Sequence, residues 1–402
     1  MEIKRVRLRP LSVPLKGELL HSGGTHPSRF VITLFEVETD SGLTGYGEGG
    51  GGGFSFEPFA KMVSQGLVGE DPLNIKKLRY KIASPITSTY YNQLLPQIWF
   101  PIETALMDIK GKHVGQPIHN LLGGKLRDDI EFSAYVFPTD HTIGVDEFVK
   151  HAESIIRSGG FSSIKIKTGV FSPQHEVDTV KAVAEKFSGA RFRIDPNGGW
   201  NLSQAVWFSK KLDGISIEYF EDPVWTMEGL RSFKELSGHP VATNTVITRF
   251  EDIPHAFIKR AVDVILGDPH WWYGMNGFLE LAASAWSLGL EVGIHSPGET
   301  GLGLSAVIHV AATTPNLSYA ADTHYIHLAD DILKTPLTFE RGSVRVSDGI
   351  GLGVEIDENK VQKYEELYRD QGDYVYHRSS GDREVITIPR KRFAHCTCHS
   401  NT

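Results

Sequence analysis

Five residues of types that do chemistry recur at near-regular intervals through the middle of the chain: Asp195, Glu221, Asn244, Asp268 and His295, each where a short β-like run stops. Ahead of them stands Ile164-Lys165-Ile166-Lys167. Alternation along a strand puts both lysines on one face and both isoleucines on the other. Two ammoniums side by side repel, so one is a candidate for a lowered pKa. Alone, such a run reads as an edge strand with its lysines in solvent. Followed by five polar strand ends, it reads as the wall of a polar site.

Asp195, Glu221 and Asn244 offer only oxygen. Hard oxygen donors with open positions suit Mg²⁺, whereas zinc would want His or Cys. One carboxylate after a strand is commonly a helix N-cap, but three oxygen donors on successive strands weaken that reading. Glu228 is an alternative ligand; Glu221 is preferred because it follows directly from its strand. A lone histidine such as His295 is usually structural. Here Asp268 ends the strand before it, and a carboxylate that accepts from one ring nitrogen leaves the other for proton transfer. Two bases on opposite walls, with a divalent cation between them, suit removal of a proton α to a carboxylate. That reaction needs the developing enediolate neutralised as it forms.

The elements that must position these residues alternate. Strand-like runs at 131–136, 164–167, 191–194, 216–220, 240–243, 262–266, 291–294 and 317–321 are each followed by a helix or a connection of helix length. Phe148, Val149, Ala152, Ile155 and Ile156 stripe one such helix, and Val177, Val180, Val183, Ala184 and Phe187 another. Roughly eight βα units predict a parallel sheet closed into a barrel, whose strand ends share one rim. Residues 126–336 form this unit. Residues 1–125 read as a smaller α+β domain. It comprises a strand at 3–15, a polar loop from His21 to His26, and a hairpin turning at Asp40-Ser41-Gly42. A glycine run at 49–53 reads as a flexible flap rather than a dinucleotide loop, and Ile102, Ala105, Leu106 and Ile109 mark a helix. Gly123-Gly124 marks the boundary. Residues 337–402 return to short β runs and a helix near 361–368 that packs back on the first domain. The last twenty or so residues are expected to be flexible. His395-Cys396-Thr397-Cys398-His399 reads as a disordered end rather than a metal site.

With 402 residues, 40% of them hydrophobic, the chain can fill one large domain and a smaller one. A net charge of -8, without a basic stripe or block, argues against nucleic-acid and membrane-surface partners. Both cysteines lie in the last seven residues, which excludes a disulfide framework. Met1-Glu2-Ile3-Lys4-Arg5 lacks a signal peptide's apolar core, so a cytoplasmic location is expected.

Seven stretches together resemble the enolase superfamily, and within it the glucarate dehydratase-like acid-sugar dehydratases. They are Lys165-Ile166-Lys167, Asp195-Pro196-Asn197-Gly198-Gly199-Trp200, Glu221-Asp222-Pro223, Ala242-Thr243-Asn244, Gly267-Asp268-Pro269-His270-Trp271, Ile294-His295-Ser296 and Asp322-Thr323-His324. Asparagine as third metal ligand is particular to that subgroup. The resemblance covers nearly the whole chain. It implies a (β/α)7β TIM-like barrel with an N-terminal α+β capping domain, Mg²⁺, a small acid-sugar substrate and a symmetric homo-oligomer. The implied reaction is dehydration to a 3-deoxy-2-keto acid. Lys167 would be one base, and His295, oriented by Asp268, the opposite base and the acid for the leaving hydroxyl. Lys165 would stabilise the enediolate. His26, Tyr135, Asn197, Ser296 and His324 would contact substrate. Three departures fall on specificity positions. Pro297-Gly298 stands where that subgroup has two asparagines, Thr168 where it tends to glycine, and a C-terminal arginine has only Arg378 as its nearest match. A racemase or epimerase using the same bases is the alternative, and a non-catalytic barrel a third reading.

Overall fold

A computed structural model describes residues 1–84 and 94–376, with backbone strands at 378–380 and 383–385. The His395–His399 run and the tail expected to be flexible lie outside the described residues, as does the side chain of Arg378.

The chain begins with β1 (Ile3–Pro14). Next come β2 (Leu19–His21) and β3 (Gly24–His26), a tight hairpin with Leu19 opposite His26, where a loop was expected. Strand β4 (Arg29–Thr39) pairs antiparallel with β1, and β5 (Thr44–Gly50) with β4. Their hairpin turns where the sequence predicts it, at Gly42, whose φ of 84° glycine takes without strain. Helices α1 (Glu57–Ser64), α2 (Ile75–Ile82) and α3 (Leu94–Val114) follow.

Alternate glycines in β5 have a reason. A Cβ on Gly45 would lie 2.0 Å from the Ala105 carbonyl oxygen, and one on Gly47 2.0 Å from that of Pro101. Helix α3 therefore rests on β5 backbone against backbone. Its stripe Ile102, Ala105, Leu106 and Ile109 is wholly buried, each isoleucine or leucine contributing roughly 1.5–3 kcal/mol. Trp99 and Glu103 are equally buried, because a second helix covers another face.

Beyond α4 (Ile118–Leu121) and β6 (Asp129–Glu131) the alternation sets in: β7 (Ser133–Val136), α5 (Val145–Gly159), β8 (Ser163–Lys167), α6 (Pro173–Lys186), β9 (Arg191–Asp195), α7 (Leu202–Lys211) and β10 (Ile217–Glu221). It continues with α8 (Met227–Ser237), β11 (Val241–Thr243), α9 (Asp252–Lys259), β12 (Val264–Gly267), α10 (Gly274–Ser287), β13 (Glu291–Ile294) and α11 (Gly301–Thr313). Strands β7 to β13 lie side by side in chain order, all parallel. The eighth run contributes single bridges rather than a full strand. Leu317 bridges to Val292 on β13, and Ala321 to Phe132 beside β7.

Period two sorts the curled sheet. Ile164, Ile166, Phe192, Ile194 and Phe220 join the large core beneath the helices. On the inner face Tyr219, Ala242, Val264 and Leu266 form a separate apolar cluster. The rest of that face is polar or charged, with Ser133, Tyr135 and Ser163 beside the lysines and carboxylates.

Strand β14 (Ser343–Arg345) pairs with β6. Helix α12 (Glu358–Gln371) then crosses back to β1. There the buried Arg9 guanidinium donates to Glu36 at 3.0 Å, to Glu358 at 2.6 Å and to Glu365 at 3.0 Å. The glycine run is no loose flap. Gly51 donates to the Val31 carbonyl at 3.0 Å, Tyr374 donates to that of Gly53 at 2.6 Å, and a Cβ on Gly51 would sit 1.7 Å from the Gly298 carbonyl oxygen. Glycine is needed there because three backbones converge. No helix among the described residues is long and apolar enough to cross a membrane.

Candidate active site

Strand β8 directs Lys165 and Lys167 inward, as its alternation predicts. Lys165 is fully buried, its Nζ 2.6 Å from Glu221 Oε2, 2.8 Å from Asp322 Oδ2 and 3.2 Å from Asp195 Oδ2. Burial opposes its charge, but Asp322 and Glu221 prevail and raise its pKa well above the ordinary value. That corrects the expectation for Lys165: its pKa is raised rather than lowered, because three carboxylates outweigh the neighbouring ammonium. Lys167 Nζ donates to Asp195 Oδ2 at 2.6 Å and to the Tyr135 hydroxyl at 2.9 Å.

The three oxygen donors end β9 and β10 and follow β11. Asp195 is wholly buried, and despite that burial Lys167 and Lys165 hold its carboxyl well below the usual range. Glu221 goes the other way. Burial, then repulsion from Asp195, pushes it well above its ordinary value. Its contact with Lys165 lacks hydrogen-bond angles, so both Glu221 oxygens, and Asn244 Oδ1 with them, are buried without a hydrogen-bond partner. Native proteins rarely leave such atoms unmatched. A divalent cation among Asp195, Glu221 and Asn244 would satisfy all three and reverse the electrostatics at Glu221. Among the described residues no three His, Cys, Asp or Glu side chains form a metal cluster. The donor set here is Asp-Glu-Asn, its third oxygen an amide's. Glu228 is not there: it starts α8 on the surface, paired with Lys259 at 2.8 Å.

Asp222, which the sequence reading passed over, positions the third donor. Its buried carboxylate accepts from the Asn244 N–H at 3.1 Å, the Thr245 N–H at 3.2 Å and the Thr243 hydroxyl. A left-handed backbone, φ 41° at Asp222, helps place it there.

On the opposite wall His295 Nδ1 lies 3.1 Å from Asp268 Oδ2. The other oxygen of Asp268 accepts from the N–H of His270 at 2.8 Å and pairs with its Nδ1 at 2.6 Å. Burial opposes the charge on Asp268, yet the two histidines hold it down at about 2. His270, buried against Phe100 at 3.9 Å between ring centroids, is raised by Asp268 against the pull of burial. Sequence reading quoted His270 but gave it no role; its spacing two residues after Asp268 was the available signal.

His26, Tyr135, Lys167, Asn197, Asn244, Asp268, His295, Ser296 and His324 all line one cavity of about 550 Å³, to which β5 and the loop after it contribute Gly50 and Gly52. Lys165, Asp195 and Glu221 lie buried beneath. The structure thus brings every sequence-predicted site residue together. Ser296 is engaged: its hydroxyl donates to Glu299, so at 2.8 Å it accepts from His324 Nδ1. Two further charges were missed. Asp322 accepts from Lys165 and, at 2.6 Å, from the Ser133 hydroxyl; Arg193 lies 3.3 Å from it and pairs with Glu218 at 2.6 Å. Arg193 was legible, two residues before Asp195 on the same face of β9.

Residues 147–360 match the family described as Enolase C-terminal domain-like, and residues 6–123 match the Mandelate racemase / muconate lactonizing enzyme, N-terminal domain. The chain belongs to the enolase superfamily. It is 35% identical to a probable glucarate dehydratase of Streptomyces coelicolor over 90% of each chain. It is also 24% identical to an N-succinyl-L-Arg/Lys racemase of Bacillus cereus, over 90% of this chain and 98% of the racemase. An enolase from Thermobispora bispora, solved with magnesium and formate, superposes with a TM-score of 0.86 at 31% identity, over 92% of this chain and 94% of that one.

Proposed function

We propose that the chain is a Mg²⁺-dependent dehydratase of an acid sugar, an aldarate or aldonate, that gives a 3-deoxy-2-keto acid. One observation carries this reading: unpartnered buried oxygens at Glu221 and Asn244 lie between Lys167 on β8 and His295 after β13, two proton-transfer groups lining one cavity. Residues 317–321 are taken as the eighth stave of a (β/α)7β barrel. The domain limits are placed at 1–125, 126–336 and 337–402.

Asp195, Glu221 and Asn244 would hold the Mg²⁺, which supplies positive charge against the charge that grows on the substrate carboxylate. Lys165, kept cationic by three carboxylates, adds a fixed ammonium toward the same end. Lys167 in its amine form takes the α proton as the C–H bond breaks. Tyr135 and Asp195 fix the position of its Nζ. His295 Nε2 gives its proton to the β-hydroxyl, the C–O bond breaks and water leaves; the enol then tautomerises to the keto acid. Asp268 holds the imidazole through Nδ1 and stabilises it when charged. The second reading, racemisation or epimerisation, uses the same two groups without loss of a hydroxyl, as a relative's named activity illustrates.

The test is a panel of aldarates and aldonates incubated with Mg²⁺, read by semicarbazide for keto acid and by NMR for α-proton exchange in D₂O. Lys167→Ala and His295→Asn should each lower turnover by about 10³-fold or more, with Mg²⁺ still bound. Exchange or inversion without keto acid would favour the second reading. No exchange with any acid would leave a binding protein.

A further inference from the structure

We infer that the acid this site accepts carries one carboxylate, its far end being an uncharged hydroxyl-bearing chain: an aldonate rather than an aldarate. The inference rests on the dehydratase reading and narrows it. It comes from how charge is distributed around the cavity.

Among the described residues, Lys167 is the only lysine or arginine lining the cavity. It lies deep, 5% exposed, over Asp195 and Glu221, which are wholly buried. The mouth is aromatic. Phe54, Trp225, Trp271 and Tyr376 come from four separate segments and are 54%, 38%, 40% and 38% exposed, with Phe56 and Trp272 behind them. One substrate carboxylate would find the Mg²⁺ and the Lys165 ammonium at the floor. A second, at the other end, would meet rings, imidazoles and neutral side chains such as Gln97 and Thr248, with no cation there among the described residues.

The imidazoles sharpen the point, because the protein sets their tautomers. The Tyr374 hydroxyl donates to the Arg29 carbonyl at 3.0 Å, so at 3.1 Å it accepts from His26 Nδ1. His324 Nδ1 likewise donates to Ser296. Burial first, and neighbouring histidines next, keep both rings well below their ordinary pKa and therefore neutral. A neutral ring with its proton on Nδ1 leaves Nε2 as a bare acceptor. Two such acceptors receive hydrogen bonds from hydroxyls and repel a carboxylate. Aromatic faces add an apolar surface for the C–H side of a polyol. A carboxylate buried there without a cationic partner is strongly disfavoured.

The experiment uses the full-length Mg²⁺-loaded enzyme and substrate pairs that differ only at the last carbon, such as D-gluconate with D-glucarate and D-galactonate with galactarate. In the pair whose configuration is accepted, kcat/KM should favour the aldonate at least about tenfold, a gap of about 1.4 kcal/mol. Trp271→Arg, at a partly exposed position of the mouth, should narrow that ratio by placing a cation there. Calorimetry on the inactive His295→Asn variant should show the same order in binding. Equal or better turnover of the aldarate overturns the inference and leaves the dehydratase reading standing. If that aldarate turnover falls in Arg378→Ala, the second carboxylate has its cation in the C-terminal segment, which overturns the inference equally. No keto acid from any pair, with tighter aldonate binding retained, sinks the dehydratase reading and supports the one-carboxylate site.

Discussion

Glu103 lies wholly buried in α3 at the start of α10, where its oxygens accept from the Asn276 side chain at 2.9 Å and, more weakly, from the Asn276 N–H at 3.3 Å. Burial, only partly offset by Asn276 and Arg79, pushes its carboxyl from 4.5 up to about 7. Between those two values the folded protein keeps a proton that the unfolded chain releases. Stability must therefore fall as pH rises through that window, and the loss is complete above about 7. The gap is worth about 3 kcal/mol at 1.36 kcal/mol per pH unit. Glu103→Gln stands in for the protonated acid and never ionises. At pH 5 the variant should melt within about 1 °C of the wild type. At pH 8 it should melt about 4 °C higher, since a chain this long unfolds with an entropy near 0.8 kcal/mol/K. Glu48, also raised to about 7, puts the same slope into both proteins and drops out of the difference. Scanning calorimetry at both pH values reads the result. Melting curves that stay parallel from pH 5 to pH 8 would show that Glu103 is not protonated in the native state.

Asn244→Leu removes the unpartnered Oδ1 without changing size much. Mg²⁺ affinity should fall more than about tenfold by calorimetry, while the metal-free protein gains up to about 1–3 kcal/mol, the cost of the orphaned acceptor; unchanged Mg²⁺ binding would remove Asn244 from the ligand set. His270→Leu deprives Asp268 of its 2.6 Å partner, so His295 should lose orientation and kcat fall about tenfold or more with Mg²⁺ still bound; full activity would show that Asp268 holds His295 unaided. Gly51→Ala must force a methyl into the Gly298 carbonyl at a φ of 93°, at a cost of at least about 2 kcal/mol. Both melting temperature and turnover should drop, because Gly298 follows closely on His295; a variant with neither change would mean that the seam yields freely.

What the sequence made legible was periodic. Alternation in β8 and β9 put Lys165, Lys167 and Asp195 on the inner face, and the polar strand ends announced the rim. Asp322 follows the strand-like run 317–321 and stands in a quoted motif, yet it was given no role, because a segment held by single bridges does not fix which way its last residue faces. Asp222 escaped because period two points it away from Glu221, and only the left-handed backbone turns its carboxylate beneath Asn244. The glycine run looked mobile by composition. Backbones arriving from distant parts of the chain, carrying no local signal, require the glycines instead. The placement of Glu228 on the surface follows from α8, whose first turn carries it outward.

The clamp on Arg9 has a consequence for synthesis. Strand β1 leaves the ribosome well before α12, yet two of the three carboxylates that neutralise its guanidinium belong to α12, made more than three hundred residues later. Until then a nascent β1 carries a cation that Glu36 alone must satisfy, beside a face that nothing covers. The packing of the cap around Arg9 is therefore completed only when α12 docks, so the chain's two ends close this face together.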